Sequence, residues 1–550
     1  MDRRLAAAAA AVILTLGSFP AAAQAARFRH DDAIVRALRY SAWEAGTLFS
    51  TGASPYVRAD MDGVAARLEE SAYGLSAQAR DALHAYRAAS PFGRFDLGAG
   101  MSLDASIGAS LAWYPQIDVA GSPTSSWGWA ERLPLVELPL ALYVGEALKL
   151  EGSLELKEDH NAIRNDMVPA NGSTLIEDAR YIDYTFPFRA LASWERSPVS
   201  ASMGRDTLRW GPGQSGTLLV SDEPDFYDYL QYGFSSPVLA YRFLWLSLDG
   251  ALANNDYYPD TIAYSSVPWT KNLFVHRWDI TLFKRLYFGI VEGLMVGGVP
   301  LDIAYFNPLL ILHNRYAWNS RSVNFVSASS AFGLELRFNP WRYMELYGSF
   351  LMNQLQTSFE VSTYDGADSI PNAFGWLAGI DAAYPAGHGW FRAGFELAYT
   401  NPWLYIRENR FNSFYWRRQL ASNTGSGGQG AESSLGYRYG PDCRLVLFHA
   451  GWDAPGFLRV DLSCEYREKG ANRLFVTSYA EGAEAASLTA PSGIVERTVG
   501  VSAGAEWDIR PGLSVSAGMD WSLSRNFGNV GGATSCFLDF AIGVTVSFPR

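Results

Sequence analysis

The stretch Met101-Ser102-Leu103-Asp104-Ala105-Ser106-Ile107-Gly108-Ala109-Ser110-Leu111-Ala112-Trp113 alternates an apolar residue with a small or polar one along its whole length. Successive side chains of a strand point to opposite faces, so Met101, Leu103, Ile107, Leu111 and Trp113 share one face and Ser102, Asp104, Ser106 and Ser110 the other. At about 3.3 Å per residue, and tilted, such a strand crosses the hydrocarbon of a bilayer. One greasy face and one wet face predict a wall strand of a membrane barrel.

The same rhythm runs to the end of the chain. Leu148, Leu150, Gly152, Leu154 and Leu156 alternate with Lys149, Glu151, Ser153, Glu155 and Lys157, and Phe391, Ala393, Phe395, Leu397 and Tyr399 with Arg392, Gly394 and Glu396. Those charges must face the lumen, because Arg or Lys on the lipid side at mid-depth costs about 2–4 kcal/mol. The carboxy-terminal strand runs Cys536, Leu538, Phe540, Ile542, Val544, Val546 and Phe548 against Asp539, Gly543, Thr545 and Ser547.

Short connections are expected near Gly145, Glu195–Pro198, Leu244-Trp245, Lys284-Arg285, Pro340-Trp341, Pro385–His388, Asp453–Gly456 and Asp508–Gly512, with long ones between them. Barrels of the outer membrane keep short turns in the periplasm and long loops outside. The alternation predicts an all-β transmembrane barrel of about 18 antiparallel strands over residues 93–550. The count is least certain around Tyr241–Asp249, where the pattern is nearly continuous.

Ahead of the barrel the period is helical. Ile34, Ala37, Leu38, Ala42 and Ala45 fall on one face, as do Ala79, Ala82, Leu83 and Tyr86, with a middle helix around Met61, Val64 and Leu68. Residues 26–92 therefore read as a small periplasmic α-helical bundle, with Asp60 and Ser76 as N-caps and Gly46 and Gly74 as stops. Residues 1–25 read as a signal peptide: Arg3-Arg4, then the apolar run Leu5–Leu16, then Ala21-Ala22-Ala23-Gln24-Ala25, with cleavage after Ala25.

Composition narrows the function. A net charge of −12 argues against nucleic acid, which draws Lys/Arg-rich faces. Cys443, Cys464 and Cys536 are too few and scattered for a disulfide framework or a zinc site. The 18 Trp, 29 Tyr and 31 Phe suit interfacial girdles. None of the seven histidines sits in a metal or nucleophile motif, so neither an enzyme nor a metal or cofactor is expected.

At the end of the strand Val199–Trp210 stands Gly204-Arg205-Asp206-Thr207-Leu208-Arg209-Trp210-Gly211-Pro212-Gly213, continuing Gln214-Ser215-Gly216-Thr217-Leu218-Leu219-Val220-Ser221. It resembles the G-R-x(4)-W-G-P-G-x(2)-G-x-L-x-x-S signature of the Wzi family of capsule-assembly proteins. His276-Arg277, Tyr305-Phe306-Asn307-Pro308-Leu309 and Leu435–Asp442 are similar to further stretches of that family. The resemblance covers nearly the whole mature chain. It implies an eighteen-stranded barrel with a periplasmic bundle, and a lectin-like role attaching capsular polysaccharide to the cell surface.

Read without the family, Trp210-Gly211-Pro212-Gly213 leaves a strand and turns sharply, since Pro fixes φ and Gly permits positive φ. Either the loop folds inward to close the mouth, or Trp210 meets sugar directly. Arg205 and Arg209 are expected on the lumen face if Met203 faces lipid, with a role as ion-pair partners of neighbouring charges as the alternative. The candidate ligand residues lie in the long loops: Trp127 and Trp129; Arg315, Trp318 and Arg321; Trp403, Tyr405, Arg407, Trp416 and Arg417. Aromatic faces stack on the C–H patches of sugars, and guanidinium groups pair with uronate carboxylates. For each aromatic the alternative is an interfacial belt.

Asp222, Glu223, Asp225 and Asp228 read as a solvated acidic loop, with calcium as the alternative. The expected partners are capsular or other surface polysaccharide, outer-membrane lipid and a polysaccharide export machine. The rival functions are a porin-like channel for small solutes or oligosaccharides and a protein-binding adhesin.

Overall fold

In the computed structural model, residues 27–548 are described apart from 50–51, 89–94, 119–126, 130, 160–171, 177, 186, 251–269, 298–300, 315–326, 356–361, 364–369, 408–411, 421–429, 476–478 and 481. The expected signal peptide lies outside the described residues.

Eighteen antiparallel strands close into a barrel. The first, β1, is interrupted and comprises Met101–Ala105, Ile107–Trp113 and Gln116–Asp118. There follow β2 (Val136–Val144), β3 (Leu148–Leu156), β4 (Arg189–Arg196), β5 (Val199–Asp206), β6 (Tyr227–Ser235), β7 (Leu239–Asp249), β8 (Thr270–Leu282) and β9 (Leu286–Gly297). The second half is β10 (Ser327–Phe338), β11 (Met344–Gln354), β12 (Ala373–Ala386), β13 (Gly389–Thr400), β14 (Cys443–Ala454), β15 (Leu458–Lys469), β16 (Glu496–Arg510), β17 (Leu513–Arg525) and β18 (Thr534–Phe548). Closure pairs β18 with β1, Phe548 opposite Ile107 and Ile542 opposite Trp113.

The alternation sorts the wall as expected. Leu111, Trp113, Leu150, Met203, Leu336, Phe391, Phe395 and Phe448 are exposed on the outside. Arg242, Arg277, Asp279, Glu335, Arg337, Glu345, Asp381 and Glu396 are buried in the lumen. One expected turn is absent: Leu244 and Trp245 pair with Val275 and Phe274 in the middle of β7. The chain reverses instead at residues 236–238, where Leu239 N donates to Ser236 Oγ and Ser235 N to Pro198 O. The Ser236-Pro237 dipeptide supplies the turn chemistry, and Leu244 continues the run of lumen-facing apolar residues that a turn would have ended.

Three helices, α1 (Ala33–Ala45), α2 (Arg58–Glu70) and α3 (Ala77–Ala88), pack together at the end of the barrel that carries the short turns. Their shared core of Val35, Leu38, Trp43, Val64, Leu68, Leu83 and Tyr86 takes in Ala383 and Trp390 from the wall. Gly46 ends α1 at φ +69°. Asp60 is not an N-cap: it stands in the first turn of α2, accepts weakly from Val57 N at 3.4 Å, and is drawn into an ion pair with Arg242 of β7.

Candidate functional site

The lumen is filled from both ends. After β5 the signature segment turns inward: Arg209 and Trp210 pair with Ser54 and Ala53 of the amino-terminal chain, and Gly211 N bonds Gly52 O. Under this loop Glu396 of β13 accepts from Gln214 N at 2.7 Å, Ser215 N at 3.0 Å and Tyr347 Oη at 2.7 Å, with Ser215 Oγ a further donor. Asp381 accepts from Gln214 Nε2 at 2.7 Å and holds His449 Nε2 at 2.9 Å. Gly213 sits at φ +122°, where a Cβ would lie 2.3 Å from Gly216 O, so only glycine makes this turn.

A second seam joins the bundle to the wall. Arg277 reaches Glu335 through both terminal nitrogens, at 3.0 and 2.6 Å, and Asp279 through Nε at 2.8 Å. Asp279 also takes Arg242 at 3.1 Å, and Arg242 pairs with Asp60 of α2. A Cβ on Gly52 would stand 2.2 Å from the Arg277 guanidinium, so the amino-terminal strand docks there only because that residue has no side chain.

Above the seam lies the largest apolar cluster, with Trp210, Leu219, Phe226, Leu244, Val275, Val291, Tyr405 and Trp416 packed inside the lumen. Water-lined porins leave this volume open; here apolar side chains occupy it.

Beside the plug, against β1–β5, a polar slot of about 540 Å³ remains. Glu137, Glu151 and Asp104 line the wall side, Asp222 and Asp225 the plug side, Arg29, His30 and Asp31 one end, and Trp129 and Lys157 the other. Acidic side chains outnumber basic ones in the lining. Arg189 bridges Glu151 at 3.0 Å and Asp206 at 3.3 Å, while the buried Asp206 Oδ2 has no hydrogen-bond partner among the described residues.

Burial, then Arg209, pushes the His30 imidazole down to about 4. Burial alone would raise Asp222, but Arg209 and then His30 hold it below the ordinary aspartate value. Burial also lowers the Lys157 ammonium, against the pull of Glu155 and Asp225. The excess of carboxylates leaves the slot rich in hydrogen-bond acceptors, which suits a ligand carrying hydroxyl or ammonium donors.

The model of the family described as capsule assembly protein Wzi matches residues 189–536, more than half of the chain. This chain belongs to the Wzi family. Among solved structures it is similar to the outer-membrane protein Wzi of Escherichia coli, which is involved in group 1 capsule assembly and is a carbohydrate-binding β-barrel. The TM-score is 0.55 at 13% identity, over 95% of this chain and 100% of that one. Pseudomonas aeruginosa OprD aligns at TM-score 0.37 and 10% identity over 81% of this chain and 96% of that one. Vibrio cholerae OmpT aligns at 0.31 and 9% over 83% and 100%. No curated protein matches the chain. Membership in the Wzi family places the barrel in the outer membrane.

The Wzi signature residues are structural. Trp210 is buried in the plug, Ser221 Oγ donates to Ser434 O, and Asn307 organises a turn with Pro308. Arg205 lies in β5 with the parity of Met203. It sits at the rim, paired with Asp228 at 2.8 Å and stacked 3.9 Å over the Phe226 ring. Arg209 does enter the lumen, bound to Asp222 at 2.7 Å. The acidic loop is not a solvated one: Asp222 pairs with Arg209, Glu223 with Arg438, and Asp228 with Arg205 and Arg418.

Of the expected sugar contacts, those in the loop around Asn401–Arg418 fold into the plug. Trp403, Tyr405, Trp416 and Arg417 are at most 4% exposed. The Tyr405 hydroxyl bonds Leu218 O at 2.7 Å, Trp416 meets Phe226 edge-on at 5.6 Å, and Arg417 lies 3.6 Å from Glu432. Arg407 Nε bonds Ser329 Oγ at 2.9 Å. These residues seal the plug because a wide barrel offers apolar side chains more burial inside than a loop tip does.

Trp129 borders the slot, but its ring is flanked by Phe188 at 4.2 Å and the Lys157 ammonium at 3.9 Å. Trp127 packs against Gly518 of the wall. Arg315, Trp318 and Arg321 lie outside the described residues. The slot residues Glu137, Lys157, Arg189 and Asp206 were missed, although Glu155 and Lys157 carried the signal of charges on the wet face of a strand.

Proposed function

We propose that this protein holds capsular or other surface polysaccharide at the outer membrane as a lectin-like barrel without catalytic activity. Its helical bundle would then face the periplasm, where a polysaccharide export machine is the candidate partner. One observation carries the reading: in a member of a capsule-assembly family, a bonded apolar plug fills the lumen among the described residues and leaves a polar slot of about 540 Å³ beside it. A solute channel needs the opposite.

The slot favours neutral or amino sugars over uronate polymers, because an excess of carboxylates repels anions while accepting from hydroxyl and ammonium donors. This departs from the pairing of loop arginines with uronates, since Arg407 and Arg417 are engaged inside the plug. The test has two arms. Purified barrel in a planar bilayer should stay electrically silent, and immobilised barrel should retain surface polysaccharide, losing that retention on Asp206→Asn combined with Glu137→Gln. Stable open conductance together with no retained polymer would replace the anchor by the channel.

A further inference from the structure

Residues 301–314 lie back against the outer face of the wall, where Tyr305 and Leu312 are buried with Phe243, Phe274 and Leu294. The Tyr305 ring stacks on Phe274 at 4.7 Å and Phe306 packs on Phe243 at 5.4 Å. Phe274 lies four residues below the loop end of β8. At about 3.3 Å per residue and a tilt near 40°, that is about 10 Å down the wall, within the apolar band of a barrel about 25 Å tall.

The side of this flap that faces away from the barrel is aliphatic. Leu301, Ile303, Leu309 and Ile311 are 50%, 85%, 90% and 56% exposed. From Ile303 to Leu312 the chain carries no charge. Much of its backbone is bonded within the segment, which suits hydrocarbon, where each unpaired polar group costs several kcal/mol. Ala304 N bonds Asp302 Oδ1 at 2.9 Å, Asn307 N bonds Ala304 O at 3.2 Å, Leu309 N bonds Asn307 Oδ1 at 3.1 Å and Leu310 N bonds Asn307 O at 3.0 Å. Pro308 has no N–H to satisfy.

Beneath the flap the outer wall carries two groups that lipid would not tolerate. His276 is fully buried and Glu292, 8% exposed, accepts from His313 N at 2.8 Å. A mainly apolar groove of about 530 Å³ runs between Ile311 of the flap and Ile290, Phe332 and Met352 of the wall, with Glu292, His313 and Ser330 also in its lining. It is continuous with the exposed apolar belt of β10 and β11, Leu336, Phe338 and Leu346.

We propose that Ile303–Leu312 is a flap immersed among the acyl chains of the outer leaflet, and that the groove beside it holds one such chain. Assignment to the outer leaflet rests on the orientation given above; immersion does not. Three unshielded aliphatic side chains, Ile303, Leu309 and Ile311, on an uncharged segment have hydrocarbon as their fitting solvent. The flap then shields the His276 and Glu292 side of the wall, and the Asn307-Pro308 pair closes its backbone.

Full-length barrel carrying Cys464→Ser and Cys536→Ser would be reconstituted in phosphatidylcholine bilayers with a nitroxide at Ile303→Cys or, separately, Leu309→Cys. The expected collision profile favours oxygen over a water-soluble nickel chelate as strongly as at the wall position Leu336→Cys. A profile matching the exposed loop position Leu175→Cys overturns the proposal. Protection from both reagents, with a doubled particle mass in detergent, assigns the flap to a second copy and overturns it too. A fluorophore at Gln354→Cys, at the groove, should be quenched by chain-brominated phosphatidylcholine, and unquenched emission removes the groove chain. Each labelled variant must keep heat-modifiable migration, and Leu301→Cys substitutes for any that does not. Glycan retention is read separately, so loss of the flap result leaves the anchoring result standing, and the converse.

Discussion

Replacing Arg277 by Met should loosen the plug without opening the wall. The guanidinium is fully buried and holds Glu335 through two bonds and Asp279 through one. Removing one partner of a buried ion pair costs about 3–5 kcal/mol, because a carboxylate is left without compensation. Asp279 keeps Arg242 at 3.1 Å, so the orphan is chiefly Glu335, and the lower end of that range applies. Glu335 Oε1 stands 3.1 Å from where a Cβ of Gly211 would be, and Gly52 abuts the guanidinium, so the cost falls on the docked amino-terminal strand and signature loop.

About 3 kcal/mol raises the undocked population roughly a hundredfold. The assay is planar-bilayer recording beside protease sensitivity at residues 52–57, on protein that still shows heat-modifiable migration. Discrete openings and faster cleavage are expected, with Arg277→Lys intermediate because an ammonium cannot bridge both oxygens of Glu335. A folded Arg277→Met barrel as silent and as resistant as the parent would refute the idea that this seam holds the plug.

Glu396→Ala should free the signature loop, since it strips two backbone N–H groups of their buried acceptor at about 1–3 kcal/mol each; hydrogen exchange at Gln214 and Ser215 should accelerate while β13 stays protected. Trp416→Ala should cost about 3–5 kcal/mol of plug stability, as for other buried aromatics, and lower glycan retention only in step with that loss, measured by retention against exchange protection.

Acid should release the amino-terminal segment. His30, beside Asp31, Asp222, Arg209 and Arg39, has its pKa pushed down to about 4 from 6.5. The folded state therefore binds fewer protons, and stability complete above pH 6.5 is lost as pH falls through 4. After discounting for partial exposure the change is about 2 kcal/mol. Exchange protection at residues 27–32, corrected for intrinsic rates, should fall across that window, and His30→Gln should flatten the response.

The strands were legible because a barrel wall imposes a two-residue period wherever lipid meets one face, and that period survives in any order of loops. It also sorted Glu396 onto the wet side without showing its partners. Arg277 and Glu335 are 58 residues apart, and Glu396 and Gln214 182. The turn placed at Leu244-Trp245 failed because both sides of that stretch keep the strand period, and the Ser236-Pro237 signal lay just upstream.

Local pattern thus sufficed for the wall, the helices and the sharp turn at Trp210-Gly211-Pro212-Gly213, since each is dictated by neighbours one to four residues away. Whether a long loop stands in water, folds into the lumen or lies back on lipid is not a local property. Trp403, Trp416 and Leu309 are alike as loop apolar residues, yet the first two became plug and the third an outward-facing surface. That choice depends on the space a closed cylinder leaves inside and on distant side chains waiting there, so only the assembled barrel could make it.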